Sequence, residues 1–163
     1  QDLVIKAFHK LSDRNKYLRL YLIGEGENLN KCKKMVNKFK LNKKVIFKKS
    51  IKLSDINNWL KKIDIYIHLS KDEGLSTAIL SAIESNRPII VSNNMGNKFL
   101  INKRGNYGIV VKNKIFSVIE GFDKLIKYPK KNENMIKISR QYILKNFSSK
   151  KMFSKYDKIL NEI

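Results

Sequence analysis

A chain of 163 residues, 42% hydrophobic and 10% aromatic, carries enough apolar side chain for one domain with a real core, and this composition excludes general disorder. Its 35 Lys and Arg against 14 acids give a formal net charge of +21, which fits polyanionic partners (nucleic acid, acidic lipid or phosphorylated substrates) and equally fits a lysine-, asparagine- and isoleucine-rich composition with solvated basic faces. The single cysteine, Cys32, excludes an internal disulfide and suits a reducing compartment; no Cys/His cluster suggests zinc, and no apolar run approaches the ~20 residues that cross a bilayer.

In chain order, Leu3, Val4, Ala7, Phe8 and Leu11 recur at helical spacing and predict a helix over 1–14. A strand is predicted over 17–23, ended by Gly24. A basic amphipathic helix follows over 27–40, a short strand over 44–47, and a helix over 54–63 with Ser54 at its N-cap. The run 65–69 reads as a strand, 77–85 as a helix, and Pro88 opens a strand over 89–91. Gly96, Gly105 and Gly108 then punctuate an irregular stretch before a last strand over 109–111. Three helices, around 117–126, 134–146 and 150–160, close the chain. Short apolar strands alternating with helices argue for an α/β fold: a Rossmann-like parallel sheet with helices on both faces and a C-terminal helical tail. The one sharp change of character, at Tyr128-Pro129-Lys130-Lys131, divides a sheet core (1–128) from that tail (129–163).

Two loops stand where chemistry is expected in such a sheet, at the carboxyl ends of strands. Gly24-Glu25-Gly26 allows a tight turn and close approach of backbone to a ligand, and it fits an ordinary strand-to-helix turn equally well. Ser70 to Thr77 (SKDEGLST) leads from a strand into a helix whose first N–H groups have no partner within the helix, so a diphosphate could accept from them. The carboxylate of Glu73 would repel phosphate and suits sugar hydroxyls instead. The same residues also fit plain capping, with Ser76 or Thr77 on the helix end and Glu73 favouring its positive pole.

The ordered set DLVIKAFHKL, LRLYLIGEGE, KVIFKKS, DIYIHLSKDEGLSTAILSAIE, RPIIVSNNMGN and NYGIVV resembles the C-terminal, donor-binding half of a GT-B retaining glycosyltransferase of group 1 (family 4), from Asp2 to about Tyr156. The resemblance implies one donor-binding domain over 1–163 and a nucleoside-diphosphate sugar as donor. It implies a glycan or lipid-linked acceptor on an N-terminal domain absent from this chain, with no metal and no other cofactor. Glu73 matches the first glutamate of the family's E-x7-E motif, near the donor sugar, where the catalytic role falls. Gly74, Leu75, Ser76 and Thr77 match the segment that meets diphosphate and sugar. Gly24, Glu25 and Gly26 match the glycine turn lining the cleft, and Lys48 and Lys49 fall near the nucleobase.

The chain departs from the pattern at three places. Ser81 stands where the second glutamate would bind the ribose, and Phe99 stands where a further glutamate is frequent. A serine offers one neutral hydroxyl where a carboxylate accepts two charge-assisted bonds. The basic residues that neutralise the diphosphate would lie upstream of Asp2; since the chain starts at Gln1 rather than Met, it is expected to be a piece of a longer protein. A divergent but active transferase is the expectation, and a non-catalytic domain of the same fold is the alternative. A basic nucleic-acid-binding module is the second alternative, without a zinc, RRM-type or recognition-helix pattern to support it, so no nucleic acid is expected. The basic face Lys31, Lys33, Lys34 and Lys38 fits a solvated surface, and also peripheral contact with anionic lipid if the acceptor is lipid-linked, so the expected location is the cytoplasm, with the inner face of the membrane as an extension. His68 is a candidate base, His9 a weaker one; Lys71 is a candidate phosphate partner, Arg87 is placed at a turn, and Trp59 is assigned to core packing with Ile56, Leu60 and Ile63.

Overall fold

A computed structural model of the chain describes residues 1–101 and 107–162. Gly105 lies outside the described residues. Eight helices and five strands alternate among them: α1 (Asp2–Arg14), β1 (Leu20–Ile23), α2 (Leu29–Lys38), β2 (Val45–Lys48), α3 (Ile56–Leu60), β3 (Tyr66–His68), α4 (Thr77–Glu84), β4 (Ile89–Ser92), α5 (Met95–Ile101), β5 (Ile109–Val111), α6 (Ile115–Lys127), α7 (Pro129–Asn146) and α8 (Ser149–Asn161). All pairings are parallel and form two ladders, β1–β2 and β3–β4–β5.

β4 shows why helices lie on both faces. Its four residues, Ile89 to Ser92, are all buried, as a central parallel strand requires. Alternation sends Ile89 and Val91 to one side, among Ile79 and Ile83 of α4, Leu100 and Ile101 of α5, and Ile143 of α7. Ile90 points to the other, among Ala7 and Leu11 of α1 and Val118, Ile119 and Leu125 of α6. The periodicity of α1 serves both ladders at once. Ala7 and Leu11 face the three-stranded sheet, while Ile5 and Phe8 join Val36, Leu41 and Val45 over the two-stranded one. α7 docks on the body through Ile143 and Ser139, whereas α8 buries none of its residues.

Several predicted elements shift. The strand predicted from 17 begins only at Leu20, because Tyr17 is exposed and Arg19 turns back to donate to the carbonyls of Lys16 and Leu18. The predicted helix 54–63 splits into a 3-10 turn, Leu53–Asp55, and the short α3; Asp55 rather than Ser54 holds the N-cap. Trp59 is not a core residue. It lies half-buried, edge-on to Tyr21 at 5.4 Å, with Lys48 Nζ 5.0 Å and Lys62 Nζ 5.7 Å from its ring centre. The stretch predicted to be irregular after β4 contains α5 instead.

Candidate functional site

β3 ends at His68 and β4 at Ser92, paired in parallel, so the loops that follow them leave from one edge of the sheet. Side chains lock the two loops together. Ser92 Oγ donates to the Ser70 carbonyl at 2.6 Å, and Asn94 Nδ2 donates to Ser70 Oγ at 3.1 Å. Asn97, fully buried, donates from Nδ2 to the carbonyl and hydroxyl oxygens of Ser92 at 3.1 and 3.0 Å. The start of α5 presses on the first loop so closely that a Cβ at Gly96 would lie 2.8 Å from the Glu73 carbonyl carbon, and nearer still to the carbonyl oxygens of Glu73 and Gly74.

Between the loops opens a cavity of about 640 Å³. Lys71, Asp72, Glu73 and Gly74 line it from the β3–α4 loop; Asn93, Asn94, Met95 and Lys98 line it from the β4–α5 segment. Two ammonium groups and two carboxylates therefore share its rim. Lys71 also borders a second hollow of about 520 Å³, where the starts of α1 and α6 bring Lys6 and Lys114.

Glu73 is held by a hydrogen bond between its Oε2 and His68 Nε2 at 3.3 Å. That bond chiefly keeps the Glu73 carboxyl below its ordinary range, against a smaller opposing effect of desolvation, with help from the Ser70 and Ser76 side chains. His68 Nδ1 lies 3.3 Å from the Tyr66 hydroxyl. Burial, and then the negative charge of Glu73, push the Tyr66 phenol up. At neutral pH Glu73 is thus ionised and Tyr66 keeps its proton.

The remaining sequence-predicted residues divide between two places. Gly74 joins Glu73 in the cavity wall; Leu75 is half exposed, Thr77 is exposed, and Ser76 is buried at the N-cap of α4. Ser76 makes no side-chain cap bond, so the simple capping role considered for it is not realised, and Thr77 stands inside the helix. Ser81 lies one turn into α4, its hydroxyl donating to the Thr77 carbonyl at 3.0 Å. Gly24, Glu25, Gly26, Lys48 and Lys49 gather at the carboxyl end of the other ladder. There Gly24 takes a φ of +123°, open to glycine, and donates from its N–H to the Lys48 carbonyl at 3.0 Å. Lys48 is drawn over Trp59, and Lys49 is exposed. Phe99 meets Phe147 edge-on at 6.5 Å. Arg87 sits at the turn before β4, donating to the Ile63 carbonyl at 2.7 Å, and His9 stacks on Phe39 at 4.5 Å.

Sequence reasoning missed the second wall of the cavity, Asn93, Asn94, Met95 and Lys98. The one clue in the sequence was Asn94 itself, a residue type favoured at helix starts; in the structure its Oδ1 accepts from the Asn97 N–H at 2.8 Å, although the neighbouring Asn and Gly read as loop.

Comparison with known proteins agrees with this architecture. The family model described as "Glycosyl transferases group 1" matches residues 1–142. Protein CapJ of Staphylococcus aureus is 33% identical over 103 residues, which are 63% of this chain and 26% of CapJ. Anabaena Alr3699/HepE, solved in complex with UDP-glucose, superposes with a TM-score of 0.89 at 16% identity, over 100% of this chain and 45% of that one. The pneumococcal O-GlcNAc transferase GtfA, solved in complex with UDP and GlcNAc, gives 0.84 at 19% identity, over 99% of this chain and 32% of that one. The chain thus spans less than half the length of these relatives, and its likeness to the solved structures carries the fold.

Proposed function

The chain belongs to the group 1 glycosyl transferases, and from that premise we propose that it is the donor-binding half of a retaining glycosyltransferase. It takes a sugar from a nucleoside diphosphate and passes it to a glycan or lipid-linked acceptor held by a partner domain. One observation carries the reading: an ionised carboxylate, Glu73, anchored at the mouth of a cavity where parallel strands end. The UDP and UDP-sugar complexes of proteins sharing the fold support it.

In this reading Glu73 is the catalytic residue and accepts from hydroxyls of the donor sugar. The backbone of Gly74, Leu75, Ser76 and Thr77 meets the diphosphate, with the amino end of α4 contributing its positive pole. Lys71 and Lys98 on the cavity rim offset leaving-group charge, so the reaction takes no resident metal and no cofactor. Ser81 lies toward the ribose, and the nucleobase extends to Gly24, Glu25, Gly26, Lys48 and Lys49. Without its partner domain the chain binds donor and transfers nothing. The exposed lysines of α2 suit peripheral contact with anionic lipid, at the cytoplasmic face of a membrane. Nucleic acid is not a partner.

Ser81 favours a second reading, a domain of this fold that has lost catalysis: its hydroxyl donates to the Thr77 carbonyl, which leaves ribose hydroxyls only a neutral acceptor there. A thermal-shift screen of nucleoside diphosphates and their sugar conjugates tests the proposal. It predicts a rise in Tm for at least one base, larger with sugar attached. No rise with any compound would remove the donor-binding reading, and equal protection by any polyanion, vanishing with salt, would favour nonspecific charge.

A further inference from the structure

We propose that His68 and Tyr66 are positioning residues for Glu73, forming a relay that fixes the carboxylate at the cavity mouth in the orientation that accepts sugar hydroxyls. The inference rests on the reading of Glu73 as the sugar contact. It begins with strand geometry. Tyr66 and His68 are two residues apart on β3, so their side chains emerge on the same face, with rings 6.1 Å apart and inclined by 22°. The alternating residues Ile65, Ile67 and Leu69 pack on the opposite side, in the cluster shared with α1 and α6. Tyr66 lies against the cluster of α4 and α5, a setting where an aliphatic side chain would cost less.

The donor and acceptor count then fixes the Glu73 end of the chain of bonds, and a neutral imidazole fixes the other. An ionised carboxylate only accepts, so His68 Nε2 must carry a proton toward Glu73 Oε2 across 3.3 Å. A neutral imidazole then has Nδ1 as an acceptor, and the Tyr66 O–H donates to it across 3.3 Å. The phenol thereby selects the histidine tautomer, and the histidine fixes one carboxylate oxygen. The loop that carries Glu73 is itself tied down, since Ser70 accepts from Ser92 and Asn94. Glu73 lines the cavity with 27% of its side-chain surface exposed, while His68, 23% exposed, is not among the lining residues. His68 acts through Glu73 and touches no substrate.

The test compares affinities for UDP, UDP-glucose and UDP-GlcNAc by calorimetry, in the wild-type chain and in His68→Leu, His68→Gln and Tyr66→Phe. The readout is the ratio of the UDP Kd to the Kd of the tighter conjugate. A loss of folding stability lowers all three affinities together and leaves that ratio unchanged. Losing the relay is expected to lower the ratio about tenfold in His68→Leu, the order of one charge-assisted bond, with UDP affinity held within about twofold. His68→Gln, whose amide N–H can replace Nε2–H, should recover most of the ratio, and Tyr66→Phe should fall between. An unchanged ratio in His68→Leu, or no recovery in His68→Gln, overturns the relay. A wild-type chain that prefers neither conjugate over UDP overturns the reading of Glu73 beneath it.

Discussion

Gly96→Ala probes how the two walls of the cavity are joined. The added Cβ would overlap the carbonyl oxygens of Gly74 and Glu73 and stand 2.8 Å from the Glu73 carbonyl carbon, where ordinary contact begins at 3.4 Å, so the helix start or the loop must yield by well over the 0.6 Å that the carbon alone demands. The obstructing atoms are backbone, and no side-chain rotation relieves them. Overpacking of this kind costs about 1–3 kcal/mol, partly offset by the helix preference of alanine over glycine, about 1 kcal/mol. The overlap with two carbonyl oxygens puts the packing cost at the upper end of that range, so a net loss of about 2 kcal/mol, or roughly 4–8 °C in Tm for a chain of this size, is expected. Because the moving atoms belong to Glu73 and Gly74, sugar-nucleotide affinity should drop with stability. Gly26→Ala is the control: nothing lies within 4 Å of its Cβ, and its stability should hold or rise by up to about 1 kcal/mol. Urea denaturation with calorimetry on both variants checks this. Gly96→Ala with unchanged stability and unchanged affinity would refute the close contact on which the geometry of the cavity depends.

Three further perturbations follow from the same structure. The carboxyl of Glu73 is held below its ordinary value of 4.5, so its stabilisation is complete above about pH 4.5 and is lost as pH falls through the lower folded-state value. The difference in urea midpoint between wild type and Glu73→Gln should be flat from pH 7 to about 5 and shrink below about 4.5; a difference that widens in acid would contradict the assignment. Ser81→Glu gives up only the hydroxyl bond to Thr77 and places a carboxylate at the position proposed to meet the ribose. Calorimetry should show nucleoside-diphosphate binding tighter by about 1–2 kcal/mol, and no gain would take Ser81 out of the ribose site. Ile90→Ala removes a fully buried side chain between β3 and β5 and should cost about 2–5 kcal/mol by denaturant melt; a loss under 1 kcal/mol would mean this side of the sheet is loosely packed.

The strands were legible because parallel sheets demand short apolar runs: Ile89 to Val91 and Ile109 to Val111 fell almost where the backbone places them. Helix α1 was legible because one period of apolar residues served two clusters. Helix α5 was not, because Asn and Gly in SNNMGN read as loop punctuation, while the sequence hides that Asn94 caps a helix and Gly96 makes room for a neighbouring loop. The same blindness to tertiary contact placed Trp59 in the core, although two lysines and Tyr21 surround it at the surface. At the site, the order of strand, acidic loop and helix made Glu73 and Gly74 candidates on equal terms with plain capping, and the family resemblance supplied the role; the structure places both in the cavity wall. His68 was visible only as a histidine near a cleft; its bond to Glu73 depends on how the loop folds back over β3, which no spacing encodes.

Backbone amide shift mapping of the isotope-labelled chain, titrated with UDP and UDP-glucose, addresses the location of the donor most directly. Saturable shifts concentrated at Lys71 to Thr77 and Asn93 to Lys98, with the sugar adding its change around Glu73, are the predicted result. Shifts confined to the lysine face of α2 and abolished by moderate salt, with that cavity silent, would contradict it.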